Sequence, residues 1–324
     1  PATLGADAPY ENMGTIQTKG WELAIDYRHT FKNGLHFGVT ASVADDKTEV
    51  TKWTYNTKIP SYGATGWWDK SAYKEGMVLG DIWGLQFDRF LTEDDFNADG
   101  SLKAGLPDQT KVFPAGYQFA PGDVLYKDLD NNGEIVKQTN TNDKGDLSVI
   151  GNALPRLQFG LNLDAAWKGF DISMFFQGVA KRKLWAAGNQ VLPGFTTGEP
   201  FYKGAEDYWT PENTDAFYPR PMDYKQSASG NYSVNDRYLL NMAYLRLKTF
   251  TVGYSLPKVW LSKFKVQGLR VYFTGENLFT IDGVKPAIDP EIGIRTASGK
   301  SDQRNFGRSY PYQKTVSFGI QLSL

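Results

Sequence analysis

Seven stretches of the chain alternate between apolar and polar or small side chains with a period of two residues. The clearest example ends the chain, where apolar residues occupy positions 316, 318, 320, 322 and 324 and Ser, Gly and Gln stand between them. Because successive side chains of a β-strand point to opposite sides, each stretch predicts a strand with one apolar and one polar face. The predicted strands span residues 21–28, 35–43, 159–167, 170–177, 244–256, 269–274 and 316–324.

The fifth stretch changes phase partway along its length. Leu245 and Leu247 share one face, whereas Phe250 and Val252 would fall on the opposite face of a regular strand. A β-bulge adds one residue to one strand of a pair and so restores the phase. We therefore predict a bulge near Thr249.

The connections between the predicted strands are sharply unequal in length. Short connections at 32–34, 168–169 and 257–265 join the strands in pairs. Long segments at 53–155, 180–240 and 282–311 separate the pairs. Short periplasmic turns that alternate with long extracellular loops are typical of outer-membrane β-barrels. The pattern therefore predicts an all-β, transmembrane antiparallel barrel with long extracellular loops and a periplasmic C-terminus.

One further apolar segment, residues 76–90, does not fit this strand count. If this segment crossed the membrane as a single strand, every later strand would run in the opposite direction and the C-terminus would lie outside the cell. We therefore place it within the first long loop. Seven strands are also fewer than the eight or more that single-chain bacterial barrels contain. We expect residues 1–324 to be a piece of a longer chain or a processed product.

The composition excludes several other classes of protein. No apolar stretch approaches the roughly 18 residues that indicate a transmembrane helix. The net charge is −1 and the basic residues are scattered, which gives no support for a nucleic-acid partner. The chain contains no cysteine, and hence no disulfide or thiolate metal site. Its 15% aromatic content and 33 glycines are typical of β proteins with long loops.

An acidic segment in the first long loop resembles a calcium-binding loop. Asp128, Asp130 and Asn132 occupy its first, third and fifth positions, and Glu134 follows a glycine. Hard oxygen ligands at alternate positions suit Ca²⁺. The acid that normally ends such a loop is replaced by Thr139, although Asp143 or Asp146 could take its place. A turn stabilised by Asx side chains without an ion explains the same residues, so both interpretations remain open.

The long loops are rich in aromatic residues. Flat aromatic side chains stack on sugar rings and on peptide side chains, and they anchor protein interfaces. The alternative is that long ordered loops need small apolar cores of their own. The candidates for contact with a substrate or a lid protein are Trp67, Trp68, Trp185, Tyr208 and Trp209.

The search for catalytic groups finds no pattern that indicates an enzyme. His29 and His36, the two histidines, flank the first short turn. The chain has no His-x-x-x-His pair, no Gly-x-Ser-x-Gly elbow and no phosphate-binding loop. Carboxylates are plentiful, but nothing in the sequence places two of them together.

The order and spacing of a series of short motifs resemble the C-terminal third of the SusC/RagA-type TonB-dependent transporters of the Bacteroidetes. The most telling are Tyr-Leu-Arg-Leu-Lys-Thr at 244–249, Gly-Glu-Asn-Leu-Phe at 275–279 and Asp-Pro-Glu at 289–291. The other matching stretches include 12–23, 80–85, 121–123, 126–128, 150–152, 167–173, 176–178, 253–257 and 314–319. They cover nearly the whole chain.

This resemblance implies an outer-membrane importer with a 22-stranded barrel, of which the chain would supply about seven C-terminal strands. It implies a SusD-like surface lipoprotein as partner, glycans or peptides as substrates, and energy from the TonB–ExbB–ExbD complex. The plug domain and the TonB box lie outside this sequence. The chain departs from the family pattern at Leu324, where an aromatic residue is usual.

Two other classes of protein compete with the importer. A soluble, secreted β-sandwich that binds carbohydrate would pack its alternating apolar faces against each other, whereas a membrane barrel exposes them to lipid. A passive porin would have neither a plug nor a TonB box. The sequence favours the importer, with lumen-facing polar residues that would tune what passes: Glu22, Asp26, Arg28, Asn162, Asp164, Asp171, Arg270 and Glu276.

Overall fold

The dominant feature of the protein, in its computed structural model, is one antiparallel sheet of seven long strands. The structure describes residues 12, 14–54, 75–137, 145–186, 188–194, 201–221, 230–264, 266–285, 288–291, 296–297, 300–301 and 310–324. The long strands are β1 (Gly14–Thr30), β2 (His36–Trp53), β7 (Arg156–Trp167), β8 (Phe170–Lys181), β11 (Tyr244–Ser255), β12 (Gly268–Asp282) and β15 (Thr315–Ser323). They lie side by side in chain order, which confirms all seven predicted strands.

Two of the short connections are tight turns with left-handed glycines. Gly34, in the turn between β1 and β2, has φ 80°, and its amide donates to the carbonyl of Phe31 at 2.9 Å. Between β7 and β8, Lys168 and Gly169 have φ values of 49° and 90°. Positive φ at both central residues matches the twist of the flanking strands, which is why so short a connection suffices.

The predicted bulge is confirmed in the fifth long strand. The register of β11 shifts between Leu247 and Thr249 against both of its neighbours, β8 and β12. Lys248 is the extra residue in the pairing with β8, whereas in the pairing with β12 the extra residue lies on β12. Because of this shift, Leu247 before the bulge and Phe250 after it lie on the same face of the sheet.

The sheet exposes its apolar face. The edge strands β1 and β15 are exposed along nearly their whole length, and interior strands also expose apolar residues, among them Trp167 of β7, Phe170 of β8 and Val271 of β12. The two buried apolar clusters among the described residues are built from loop residues and include none of these side chains. A sandwich would bury this face beneath a second sheet, whereas a barrel turns it toward lipid.

The loops contain short elements of their own. Residues 76–90 contribute no named strand to the large sheet, although residues 76–79 hydrogen-bond along β2. Within the segment, β3 (Asp81–Gly84) pairs with β6 (Ser148–Asn152) and β4 (Phe87–Phe90) pairs with β5 (Val124–Tyr126). The remaining pairs are β9 (Lys183–Leu184) with β10 (Leu240–Asn241), and β13 (Thr296–Ala297) with β14 (Lys300–Ser301). Helix α1 (Lys258–Leu261) and a 3-10 turn (Ser262–Phe264) connect β11 to β12, and two other 3-10 turns span Glu93–Asp95 and Gly230–Tyr232. Within the described ranges, every helix falls short of the length and apolar character needed to cross a membrane.

Candidate functional site

A buried carboxylate holds the first two long loops together. Asp123 has no exposed surface. It accepts hydrogen bonds from Tyr117 in its own loop at 2.8 Å, and from Arg220 at 2.8 Å and Asn231 at 2.9 Å in the second. A buried charge needs such partners because its desolvation is costly. The sequence motif at 121–123 is therefore an anchor between loops, a role that its spacing alone does not reveal.

Two of the candidate contact residues lie inside this loop body. The Trp209 ring covers Gly122, where an added Cβ would lie 2.5 Å from the ring, and Trp209 is only 7% exposed. Trp185 is 1% exposed, within the other buried cluster. Both therefore pack in loop cores instead of facing a substrate. Trp67 and Trp68 lie outside the described residues.

Tyr208 is the candidate that reaches an open surface. It is 40% exposed and lines a cavity of about 550 Å³ formed by the second long loop. The aromatic residues of the wall are Phe201, Tyr202, Tyr208, Tyr218 and Tyr232. Proline side chains at positions 193, 219 and 221 also line the cavity. The wall is therefore mainly apolar and flat-sided.

The deeper rings of the cavity are neutral and fixed. The Tyr218 hydroxyl donates to the carbonyl of Val191 at 2.9 Å, and burial raises the pKa of Tyr218 to about 12. Burial also raises the pKa of Tyr232 well above its ordinary value. The charged side chains of the described wall are Lys203 and Glu206, which have opposite signs. The charges of the described lining residues therefore cancel.

The acidic loop folds as a series of Asx turns. The Asp128 carboxylate accepts a hydrogen bond from the amide of Gly133 at 2.8 Å, and the Asp130 carboxylate accepts one from the amide of Asn132 at 3.2 Å. The Asn132 side-chain oxygen accepts from the amide of Glu134 at 2.8 Å. These contacts are what either the ion-free turn or an ion-binding loop would show.

A third carboxylate joins this loop from further along the chain. Oxygens of Asp128, Asp130 and Asp146 all lie within 4.8 Å of one another. Asp146 is fully buried, and it accepts hydrogen bonds from the amides of Leu129 at 2.8 Å and Val136 at 2.7 Å. Thr139 and Asp143 lie outside the described residues.

The carboxylates in this cluster repel one another. Desolvation, then repulsion from the carboxylates of Asp146 and Asp128, raises the pKa of Asp130. Desolvation also favours a higher pKa for Asp128, but hydrogen bonds from backbone amides outweigh it and hold the pKa of Asp128 below its usual range. The Glu134 side chain points elsewhere, since it pairs with Lys111. Three converging carboxylates fit the hard-oxygen ligand set of Ca²⁺.

The polar face of the sheet carries charge pairs between strands. Arg270 donates to both carboxylate oxygens of Asp171, at 3.0 and 2.6 Å, across the intervening strand β11. His36 lies 3.6 Å from Asp164 and contacts the Thr30 hydroxyl at 3.1 Å. His29 is packed between the rings of Tyr27 and Phe31 on the apolar face.

A buried charge network fastens the third long loop to the sheet. Arg246 donates to Asp289 and to Glu291, both at 2.7 Å, and all three side chains are less than 10% exposed. Lys248, the bulge residue, lies 3.0 Å from Glu291. The motifs at 244–249 and 289–291, which the sequence shows as separate segments, therefore form one structural unit.

The open apolar face, the long loops at one end and the tight turns at the other define part of an outer-membrane β-barrel. Solved structures agree: the RagAB peptide transporter superposes with a TM-score of 0.61 at 19% identity, covering 99% of this chain and 31% of that chain. The RagAB peptide importer in its open-open state gives 0.60 at 18% identity, covering 100% of this chain and 30% of that chain. These likenesses show the fold.

Curated relatives lead to the same class of protein. TonB-dependent receptor P3 of Formosa agariphila is 26% identical over 99% of this chain and 30% of its own length. TonB-dependent receptor SusC of Bacteroides thetaiotaomicron is 22% identical over 97% of this chain and 27% of its own length. No family model matches the chain. The chain spans about 30% of the length of these relatives, and its resemblance to the C-terminal part of SusC/RagA-type TonB-dependent receptors is confirmed.

Proposed function

We propose that the chain is the C-terminal barrel portion of an outer-membrane importer that takes up glycans or peptides with energy from TonB–ExbB–ExbD. A SusD-like lipoprotein would cover its extracellular side. The single observation that supports this most is the seven-stranded sheet with an exposed apolar face, in a chain similar to TonB-dependent receptors. Binding and passage, not bond chemistry, would then be the task of these residues.

Fractionation and uptake test this proposal on the full-length protein. We expect it in the outer-membrane fraction, extractable only with detergent, and uptake of its nutrient to stop when TonB is deleted. Recovery as a soluble protein would instead support the secreted β-sandwich. Uptake that continues without TonB would indicate a passive porin.

We also propose the sidedness of the loops, with residues 53–155, 180–240 and 282–311 outside the cell. The absence of native cysteine in these residues makes labelling direct. A full-length protein with no other reactive cysteine and with Asp99→Cys or Glu212→Cys should react with an impermeant maleimide on intact cells. The matched turn variant Lys32→Cys should react only after the outer membrane is opened. Labelling of Lys32→Cys on intact cells would contradict the assignment.

A second proposal concerns the acidic loop. We propose that Asp128, Asp130, Asn132 and Asp146 provide oxygen ligands for Ca²⁺, with Glu134 contributing through its backbone carbonyl. The observation that favours the ion is the convergence of Asp146, distant in sequence, on the loop carboxylates.

Thermal unfolding of the full-length protein tests the calcium site. We expect Ca²⁺ to raise the unfolding temperature of the wild type, since an ion that binds only the folded state stabilises it, and we expect Asp128→Ala to abolish the effect. Asp99→Ala, which removes an exposed carboxylate from another Asx turn, should leave it unchanged. If Ca²⁺ does not alter the wild type, the loop is a turn without an ion.

A further inference from the structure

We propose that the cavity of the second long loop binds an apolar peptide segment that carries proline or aromatic side chains. This inference rests on the proposed import function and names the part of the cargo that this loop would recognise. The cavity volume of about 550 Å³ lies within the range of ligand sites. Its wall combines buried, fixed rings at the bottom of the cavity with exposed rings at its opening.

The exposed rings supply the driving force. Phe201 is 62% exposed and Tyr208 is 40% exposed, although both line a concave surface. Tyr218 and Tyr232, in contrast, are almost fully buried and held by the loop core. A ligand in the cavity would remove apolar ring surface from water. Because the buried rings are already fixed, binding does not have to order them, which lowers its entropic cost.

The lining favours a peptide over a carbohydrate. Sugar hydroxyls need several directional hydrogen-bonding partners, whereas eight of the eleven described lining residues are aromatic residues or prolines, and the Tyr218 hydroxyl already bonds to Val191. Surfaces rich in aromatic rings recognise extended proline-containing peptides, whose backbone is already ordered.

The charges at the cavity point to cargo without net charge. Lys203 and Glu206 lie in the same wall and have opposite signs. A polyanionic cargo would gain from Lys203 but be repelled by Glu206, whereas a peptide can present a carboxylate to one and an amine to the other. The cavity therefore suits a zwitterionic peptide better than an acidic polysaccharide.

Calorimetric binding to the full-length transporter, purified with its partner lipoprotein, tests the proposal. The probes are a hexapeptide of alternating proline and tyrosine, and maltoheptaose. We expect the hexapeptide to bind and maltoheptaose not to compete with it. Phe201→Ala and Tyr208→Ala should each weaken hexapeptide binding about tenfold, the effect of losing about 1.4 kcal/mol of contact.

The controls separate this cavity from the rest of the protein. Tyr310→Ala removes an aromatic residue that is 94% exposed and not part of the wall, and it should leave hexapeptide binding unchanged. Truncation of Phe201 removes a ring that is mostly in solvent, so the loop should still fold; an unchanged unfolding temperature would verify this.

Three results would overturn the proposal: no hexapeptide binding, hexapeptide binding that survives both cavity substitutions, or maltoheptaose binding that Tyr208→Ala abolishes. None of them would contradict membrane insertion or TonB-dependent uptake. Loss of those two properties would remove the import function itself, so the failures are distinguishable.

Discussion

At the scale of single residues, Gly253 shows how one missing side chain permits an interaction across three strands. Arg270 of β12 reaches Asp171 of β8 by passing over Gly253 of β11, where an added Cβ would lie 2.5 Å from the guanidinium and 2.7 Å from the carboxylate. We expect Gly253→Ala to separate the pair and destabilise the folded protein by about 1–3 kcal/mol. Thermal unfolding in detergent measures this.

Gly268→Ala is the matched control for this prediction, because an added Cβ there meets only Ser323 at 3.6 Å, an ordinary contact. It should leave stability unchanged or slightly improved. Equal losses in the two variants would mean that glycine acts through backbone conformation, and not through the room it leaves for Arg270.

A second residue, Asp95, makes the stability of the first long loop depend on pH. Hydrogen bonding to Arg89 at 2.6 and 2.7 Å lowers the pKa of Asp95 to about 2, below its value of about 3.9 in an unfolded chain. Because the folded pKa is the lower one, the stabilisation is complete above pH 4 and is lost as the pH falls toward 2. The wild type should therefore unfold at a higher temperature than Asp95→Asn at pH 6, and this difference should shrink between pH 4 and 2. A constant difference would show that ionisation is not involved.

At the scale of elements, the bulge in β11 and the third long loop depend on each other. The extra residue, Lys248, and its neighbour Arg246 both bind Glu291, and Arg246 also binds Asp289. Removing Arg246 leaves the buried Asp289 carboxylate without its cation and Glu291 with Lys248 alone. We expect Arg246→Met to destabilise the protein by about 3–5 kcal/mol and to make the loop around Glu291 accessible to protease.

An exposed ion pair on the same sheet provides the comparison. Arg28 and Asp26 lie 3.3 Å apart with both side chains more than half exposed, so Arg28→Met should cost at most about 1 kcal/mol. Limited proteolysis and thermal unfolding of both variants test the ranking. A loop that stays protected in Arg246→Met would show that the network does not fasten it.

At the scale of the whole molecule, the two faces of the sheet define where lipid lies. Leu163 and Asn162 are neighbours on β7 and point to opposite faces. We expect Leu163→Arg to oppose insertion, since a cation on the lipid face near the middle of the bilayer costs about 2–4 kcal/mol, whereas Asn162→Arg should face the lumen and assemble. The resistance of the barrel to unfolding in detergent on gels reports assembly. The opposite ranking would mean that the faces are assigned the wrong way round.

Alternation along the chain is enough to specify the elements of the large sheet. The period of two follows from the pleat of a strand, and a strand between lipid and water must obey it along its whole length. For this reason the seven strands, the tight turns and even the bulge near Thr249 could be predicted. The number and direction of the strands, not the period of two, placed residues 76–90 in the first long loop, and they form none of the seven long strands.

The roles of the loop residues, in contrast, emerge only in the folded chain. Trp185 and Trp209 proved to be core residues, because their burial depends on partners far away in sequence that no periodic pattern reveals. The sequence offered Asp143 or Asp146 as the further acid of the calcium-type loop, and it is the fold that brings Asp146 to the loop carboxylates. Strand alternation is enforced by the solvent on each side, whereas loop packing is enforced by specific neighbours, and only the folded chain supplies those.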